Sequence, residues 1–166
     1  TFGLDPNKRT ILILGGSLGA RTINQCLMEN LDKVKSSGVQ FIWQTGKIYI
    51  EEAKAAVAKA GELPMLHVTD FISDMATAYC AADLVISRAG AGSISEFCLL
   101  QKPVILVPSP NVAEDHQTKN ALALVNKNAA LYVKDIEAKD LLLDKAIEAV
   151  KQPDLLKNLS KNITEL

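Results

Sequence analysis

One segment of this sequence has the composition of a loop that binds phosphate. It reads Ser87-Arg88-Ala89-Gly90-Ala91-Gly92-Ser93-Ile94-Ser95-Glu96 and follows an apolar run at Asp83–Ser87. Gly90 and Gly92 would let a bulky anion approach the backbone. The helix predicted to begin at Ser93 would offer free N–H groups and the positive end of its dipole. We therefore expect Gly90–Ser93 to contact phosphate.

Glu96 lies one turn into that predicted helix, and two interpretations of it are open. Its carboxylate could fold back to the helix start as part of a capping box. It could instead accept two hydrogen bonds from a ribose diol, and we favour this second interpretation. Arg88 is left unassigned, because it could pair with a diphosphate or bond a neighbouring loop.

A second glycine-rich turn, Gly15-Gly16-Ser17-Leu18-Gly19-Ala20, follows the apolar run at Thr10–Leu14. It could bind phosphate, or its glycines could simply let strand and helix pack closely. No Gly-Lys-Ser/Thr follows, which excludes a Walker A loop. The next strand ends in Gln44-Thr45-Gly46 without an acidic residue, which disfavours a dinucleotide fingerprint.

Two further loops carry candidate binding residues. Asp115, His116 and Gln117 cluster at a predicted helix start, and an amide such as Gln117 suits sugar hydroxyls. Alternatively Asp115 is an N-cap and His116 a surface residue. No partner nucleophile supports His116 as a catalytic base. Phe71 and Ile72 could receive a flat base, although the sequence favours core packing for both.

The positioning elements are short apolar strands that alternate with helices. The predicted strands are Thr10–Leu14, Gln40–Gln44, Met65–Val68, Asp83–Ser87, Val104–Val107 and Ala130–Val133. The predicted helices are Ala20–Lys35, Ile48–Ala60, Asp74–Cys80, Ser93–Leu100, Asp115–Lys127, Ala138–Val150 and Pro153–Ile163. This order predicts one α/β domain with a Rossmann-like, doubly wound parallel six-stranded sheet. Ligands of such a sheet bind at the carboxyl ends of the strands.

Composition narrows the classes of function. The chain has 166 residues, 48% of them hydrophobic, and a net charge of −1, which argues against a nucleic-acid partner. No apolar run has the length of a membrane span. Cys26, Cys80 and Cys98 are far apart and lack metal-ligand spacing, so we expect buried, reduced thiols and no metal site. The chain starts without Met, and we expect it to be part of a longer protein.

Four motifs in combination resemble the MurG family of glycosyltransferases. They are GGSLGAR, DFISDM, DLVISRAGAGSISE and PSPNVAEDHQTKNA. The similarity is to the family's C-terminal domain and extends over essentially the whole chain. It implies the C-terminal half of a GT-B fold, in which two Rossmann-like domains face a cleft. The half represented here would bind UDP-N-acetylglucosamine.

The resemblance also implies roles for individual residues, all of them in donor binding. Gly16 and Ser17 would lie near the phosphates, and Ile72 would bond uracil through its backbone. Glu96 would hold the ribose hydroxyls, and Gln117, with His116 beside it, the sugar hydroxyls. The contacts to diphosphate and sugar would come from Gly90, Ala91, Gly92 and Ser93. No catalytic residue, cofactor or metal is expected in this half.

The activity implied for the full-length enzyme is inverting transfer of N-acetylglucosamine to lipid-linked MurNAc-pentapeptide, which converts lipid I to lipid II in peptidoglycan synthesis. The acceptor would bind an N-terminal domain that is absent here, so we expect this chain alone to be inactive. The enzyme would be cytoplasmic and peripheral on the inner face of the bacterial cell membrane. Two alternatives are a non-catalytic partner domain of a split GT-B transferase and another UDP-sugar enzyme, such as a 2-epimerase.

Overall fold

The computed structural model describes residues 4–15, 21–109 and 116–164, which form six strands and eight helices. The strands are β1 (Thr10–Leu14), β2 (Gln40–Gln44), β3 (Leu66–Thr69), β4 (Leu84–Ser87), β5 (Val104–Leu106) and β6 (Leu131–Tyr132). The helices are α1 (Arg21–Glu29), α2 (Leu31–Ser36), α3 (Ile50–Ala60), α4 (Met75–Ala81), α5 (Ala91–Leu100), α6 (His116–Val125), α7 (Asp135–Val150) and α8 (Pro153–Thr164).

All six strands lie parallel in one sheet of order β3-β2-β1-β4-β5-β6. This is the usual order of the Rossmann-like fold, and the predicted doubly wound six-stranded sheet is confirmed. The chain runs outwards from β1 to β3 and then returns to place β4 on the other side of β1. Ligands of such sheets bind where the order reverses. The gap between the carboxyl ends of β1 and β4 is therefore the first place to look for a site.

Alternation along the strands divides the buried side chains between two cores, one on each face of the sheet. One core joins Ile11, Ile13, Trp43 and Ile86 to helices α1, α2, α3 and α7. The other joins Leu12, Ile42, Val85 and Leu106 to α4, α5 and α6. Because both faces are covered, the central strands are apolar at successive positions.

The structure corrects one predicted helix. The segment predicted as Ala20–Lys35 contains two helices, α1 and α2, which meet at Asn30. The Asn30 amide donates to the Cys26 carbonyl at 2.7 Å and to the Lys139 carbonyl at 3.1 Å. An Asn side chain that bonds the backbone in this way competes with helical hydrogen bonding. The hydrophobic stripe continues across the break, which explains why periodicity alone predicts a single helix.

The cysteines correct another expectation, since only one of the three is buried. Cys26 lies in a core, and burial raises the pKa of its thiol to about 11. Cys80 is exposed and Cys98 is half-buried.

None of the helices in the described ranges has the length and apolar character needed to cross a membrane.

Close packing surrounds Gly15, the residue that follows β1. A Cβ added there would lie 2.6 Å from Asn24 Oδ1 and 2.6 Å from the Gln44 carbonyl oxygen. Asn24 cannot easily move away, because it accepts from Trp43 Nε1 and donates to the Thr45 carbonyl, both at 2.9 Å. Glycine is therefore required by the protein's own packing.

We expect Gly15→Ala to lower the free energy of unfolding by about 1–2 kcal/mol, because the methyl group overpacks a rigid site. Urea denaturation followed by Trp43 fluorescence measures the change. Gly61→Ala is not a suitable comparison, because Gly61 has a positive φ of 99°. Gly90→Ala is the matched control, since its backbone has φ −69° and the added methyl meets no described atom within 4 Å. Equal stability of the Gly15→Ala variant and the wild type would contradict the close approach.

Candidate functional site

A cavity of about 270 Å³ lies at the point where the strand order reverses. It opens between the ends of β1 and β4 and continues towards the loop after β3. Its walls comprise Leu14, Gln44, Phe71, Ile72, Met75, Tyr79, Ser87, Arg88, Ser93 and Glu96. Six of these residues belong to the two segments that the sequence singles out after β3 and β4.

The first turn of α5 forms one side of this cavity. The helix begins at Ala91, with Gly90 as its N-cap, two residues earlier than predicted. The Ile94 N–H bonds the Gly90 carbonyl at 3.0 Å, and the N–H groups before it have no acceptor within the helix. Ala91, Gly92 and Ser93 therefore present backbone donors at the positive end of the helix dipole, an arrangement suited to an anion. Ser93 is the third helical residue and does not cap the helix.

Space is left open beside this turn. A Cβ placed on Gly90 or Gly92 would meet no atom of the described residues within 4 Å. Gly90 also has an extended backbone that any residue can adopt. Backbone conformation imposes neither glycine, and neither does packing against the described residues, in contrast to Gly15. The open space is consistent with room for a ligand against the helix end.

Glu96 is not part of a capping box. That motif needs the carboxylate at the third helical position, whereas Glu96 is the sixth residue of α5. Its side chain is exposed to the cavity, and Oε2 accepts a hydrogen bond from the Tyr79 hydroxyl at 3.0 Å. The capping-box interpretation of Glu96 is therefore excluded, and the carboxylate is exposed to a ligand in the cavity.

The contacts of Arg88 bear on its role, which the sequence left open. Its Nη1 donates to the carbonyls of Val107 and Pro108, both at 3.2 Å, and to Asp135 Oδ1 at 2.5 Å. The other oxygen of Asp135 accepts from the Thr22 hydroxyl at 2.9 Å. These bonds join the loop after β4, the loop after β5 and the starts of α1 and α7. Arg88 thus bonds neighbouring loops, the second of its two interpretations.

Gln117 holds the same loops from another side. Its Oε1 accepts from the Ala89 N–H at 3.3 Å and from the Ser109 N–H at 2.9 Å. One turn later, Asn120 donates to the Ala89 carbonyl at 3.3 Å. Gln117 is buried, while His116, the first residue of α6, is exposed. The predicted sugar contacts of both residues stay predictions, and Gln117 also positions the peptide that leads into α5.

Phe71 and Ile72, in the loop after β3, were both expected to pack in the core, and the structure places only one of them there. Ile72 is 4% exposed and packs in the core, as expected. Phe71 is 58% exposed, so the expectation of core packing was wrong for this residue. Its ring lies at the mouth of the cavity, where a flat partner could stack on it.

Several predicted positions fall outside the described residues, among them Gly16, Ser17 and Asp115. The predicted phosphate contacts of Gly16 and Ser17 remain predictions. Within the described ranges, no group of three or more His, Cys, Asp or Glu side chains could hold a metal ion.

Larger cavities lie elsewhere on the domain. Two, of about 440 and 570 Å³, lie between β6, α7 and α8, and one of about 470 Å³ lies beside α8 and Gln101. They are away from the carboxyl ends of β1 and β4, and none of the predicted binding residues lines them. Size alone would favour them. We place the site at the smaller cavity because a helix N-terminus, a carboxylate and an exposed aromatic ring converge there.

Sequence reasoning missed three residues at or behind this site: Tyr79, Asn120 and Asp135. Each acts across the fold, at 17, 31 and 47 residues from its partner. Tyr79 looks like an ordinary core position of α4, and no spacing rule connects it to Glu96. Asn120 stands one turn after Gln117, so the helical period could have indicated that it shares a face with Gln117.

The model of the glycosyltransferase family 28 C-terminal domain matches residues 10–165, which is nearly the whole chain. The chain belongs to glycosyltransferase family 28. Its predicted resemblance to the MurG branch is also confirmed. A solved structure of MurG from Acinetobacter baumannii superposes on this family 28 domain with a TM-score of 0.81 at 30% identity, covering 98% of this chain and 46% of that one.

The relatives of this family 28 domain are longer proteins. A Phocaeicola vulgatus protein is 82% identical over 166 residues, and a Bacteroides fragilis protein is 68% identical over 167 residues. Both are named UDP-N-acetylglucosamine–N-acetylmuramyl-(pentapeptide) pyrophosphoryl-undecaprenol N-acetylglucosamine transferase. The match covers all of this chain but 44% of each relative, so the chain spans less than half of their length.

Proposed function

We propose that this domain binds UDP-N-acetylglucosamine as the donor half of the transferase that adds N-acetylglucosamine to lipid-linked MurNAc-pentapeptide. The observation that carries the proposal is the cavity between β1 and β4, where the N-terminus of α5 and the Glu96 carboxylate face the same space. The choice of sugar nucleotide and acceptor follows from the names of the relatives.

The arrangement suggests how each part of the donor is held. The diphosphate lies against the N–H groups of Ala91, Gly92 and Ser93, where the helix dipole favours negative charge. The ribose diol donates to Glu96, and the base lies between Phe71 and the Ile72 backbone. During transfer, the acceptor hydroxyl displaces UDP at the anomeric carbon, and α5 stabilises the charge that builds on the departing diphosphate.

The remaining parts of the reaction belong to the portion of the relatives that this chain does not match. That portion supplies the acceptor site and brings the protein to the inner face of the membrane. We therefore expect the 166-residue chain to bind donor without catalysing transfer.

Calorimetric titration of this chain with UDP-N-acetylglucosamine, UDP-glucose and GDP-mannose tests the proposal. We expect UDP-N-acetylglucosamine to bind most tightly and GDP-mannose not to bind. Failure of every uridine nucleotide to bind at millimolar concentration would refute donor binding. Equal binding of UDP-glucose would keep the nucleotide site but contradict the choice of sugar.

A further inference from the structure

A buried tyrosine stands directly behind the candidate ribose-binding carboxylate. Tyr79 is 6% exposed, and its hydroxyl donates to Glu96 Oε2 at 3.0 Å. Glu96 itself is exposed on the cavity wall. Tyr79 is therefore anchored in the core and reaches the cavity wall beside Glu96, which faces the space where a ligand would lie.

The tyrosine ring is held in place by its surroundings. Tyr79 lies near the end of α4, a helix that begins with Asp74 accepting from the Thr77 N–H at 3.1 Å. Its ring meets Phe97 edge to face, with centroids 6.1 Å apart and planes at 82°. Phe97 is the next residue after Glu96 and is fully buried. The hydroxyl is thus fixed relative to the helix that carries Glu96.

An exposed glutamate alone would not be fixed. Its side chain has several rotatable bonds, and ordering it on ligand binding costs conformational entropy. A hydrogen bond from a rigid donor to one carboxylate oxygen restrains the side chain before the ligand arrives. The ionised carboxylate has about four lone-pair sites, so bonding Tyr79 leaves acceptors for two hydroxyl groups. Burial and the bond to Glu96 raise the pKa of Tyr79 above its ordinary value, so the phenol remains a donor.

We propose that Tyr79 is a positioning residue that orients the Glu96 carboxylate to receive the ribose diol of a uridine nucleotide. This inference rests on the proposed function, because it assumes that Glu96 binds ribose. It adds a residue that touches Glu96 from the core side, and it assigns the contact between α4 and α5 a role in selecting ribonucleotides.

The test compares Tyr79→Phe with wild type in calorimetric titrations with UDP and with 2′,3′-dideoxy-UDP, which lacks the diol. Phenylalanine keeps the ring contact with Phe97 and removes only the hydroxyl. We expect the variant to bind UDP about 3- to 10-fold more weakly, the loss expected for one hydrogen bond. The variant and the wild type should bind dideoxy-UDP with affinities that agree within about twofold, because a ligand without the diol does not depend on the orientation of Glu96. Tyr132→Phe on β6 is the matched control and should change neither affinity.

A Glu96→Ala background supplies a second measurement, since Tyr79→Phe should then have no further effect on UDP affinity. Unchanged UDP affinity in Tyr79→Phe would overturn the positioning role while leaving the proposed function intact. Equal loss for both nucleotides would overturn it as well, because the effect would then be one of packing. Failure of the wild-type chain to bind any uridine nucleotide would refute the proposed function itself, and the positioning role with it. A melting temperature of Tyr79→Phe close to wild type confirms that the variant is folded.

Discussion

Replacing Glu96 with alanine should weaken binding of UDP by about 1–3 kcal/mol, which corresponds to roughly 5- to 150-fold in affinity. The removed carboxylate would otherwise accept two hydrogen bonds from the ribose diol. Hydrogen bonds to an ionised acceptor are stronger than those between neutral groups. Calorimetry on the 166-residue chain measures the effect directly. Glu96→Gln should also weaken binding, because the amide lacks the charge and one of the two acceptor oxygens.

The expected effect is on affinity and not on folding. Glu96 is exposed and does not cap α5, whose N-cap is Gly90. Its one described partner, Tyr79, could bond water through the opened cavity after the substitution. Ser95→Ala, at an exposed position of the same helix, is the control and should leave affinity unchanged. A Glu96→Ala protein with a lower melting temperature and wild-type affinity would show that the carboxylate serves the fold alone.

Replacing Arg88 with leucine should destabilise the domain by about 2–4 kcal/mol, because it leaves Asp135 without its charged partner. The Arg88 and Asp135 side chains are 23% and 17% exposed, so water can replace only part of the lost interaction. The carbonyls of Val107 and Pro108 would also lose a donor. Chemical denaturation of Arg88→Leu, Asp135→Asn and the double variant measures the coupling between the pair, which should be clearly non-additive.

Stability measurements, combined with titration of the same variants with UDP, test whether the role of Arg88 is structural. Arg88→Lys keeps the charge but lacks the guanidinium, whose Nη1 reaches Asp135 and the two carbonyls together, so it should restore only part of the stability. Arg9→Leu is the control, because the Arg9–Asp83 pair is 45% and 32% exposed and should contribute less than about 1 kcal/mol. Unchanged stability in Arg88→Leu, with weaker UDP binding, would make Arg88 a diphosphate ligand instead.

The fold was predictable because strand and helix signals in this chain are local. Runs such as Thr10–Leu14 and Gln40–Gln44 have apolar residues at successive central positions, and their alternation with helical stripes permits few topologies. The break at Asn30 was not predictable, because the hydrophobic stripe continues through it. What ends α1 is an amide that bonds Lys139, more than a hundred residues away.

The candidate site was predictable only in part, for a related reason. Glycines and a helix start near Gly90 are visible in the sequence, and so is a carboxylate one turn later. Which atoms hold that carboxylate is not visible, because Tyr79 and Glu96 meet only after α4 and α5 pack on one face of the sheet. The exposure of Phe71 was unpredictable for the same reason, because no local sequence signal distinguishes an exposed aromatic residue from a buried one next to Ile72.

Because the space beside Gly90 and Gly92 is open, substitutions there should affect selection for folded protein and selection for nucleotide binding differently. No described atom would obstruct a methyl group at either position, and both backbones suit alanine. A screen for folded protein would therefore accept substitutions at these sites and report them as tolerant. If a phosphate approaches the backbone closely, an added methyl group would obstruct it, and the same substitutions would weaken nucleotide binding. Mutational libraries scored once for abundance and once for nucleotide binding should diverge most at these two glycines.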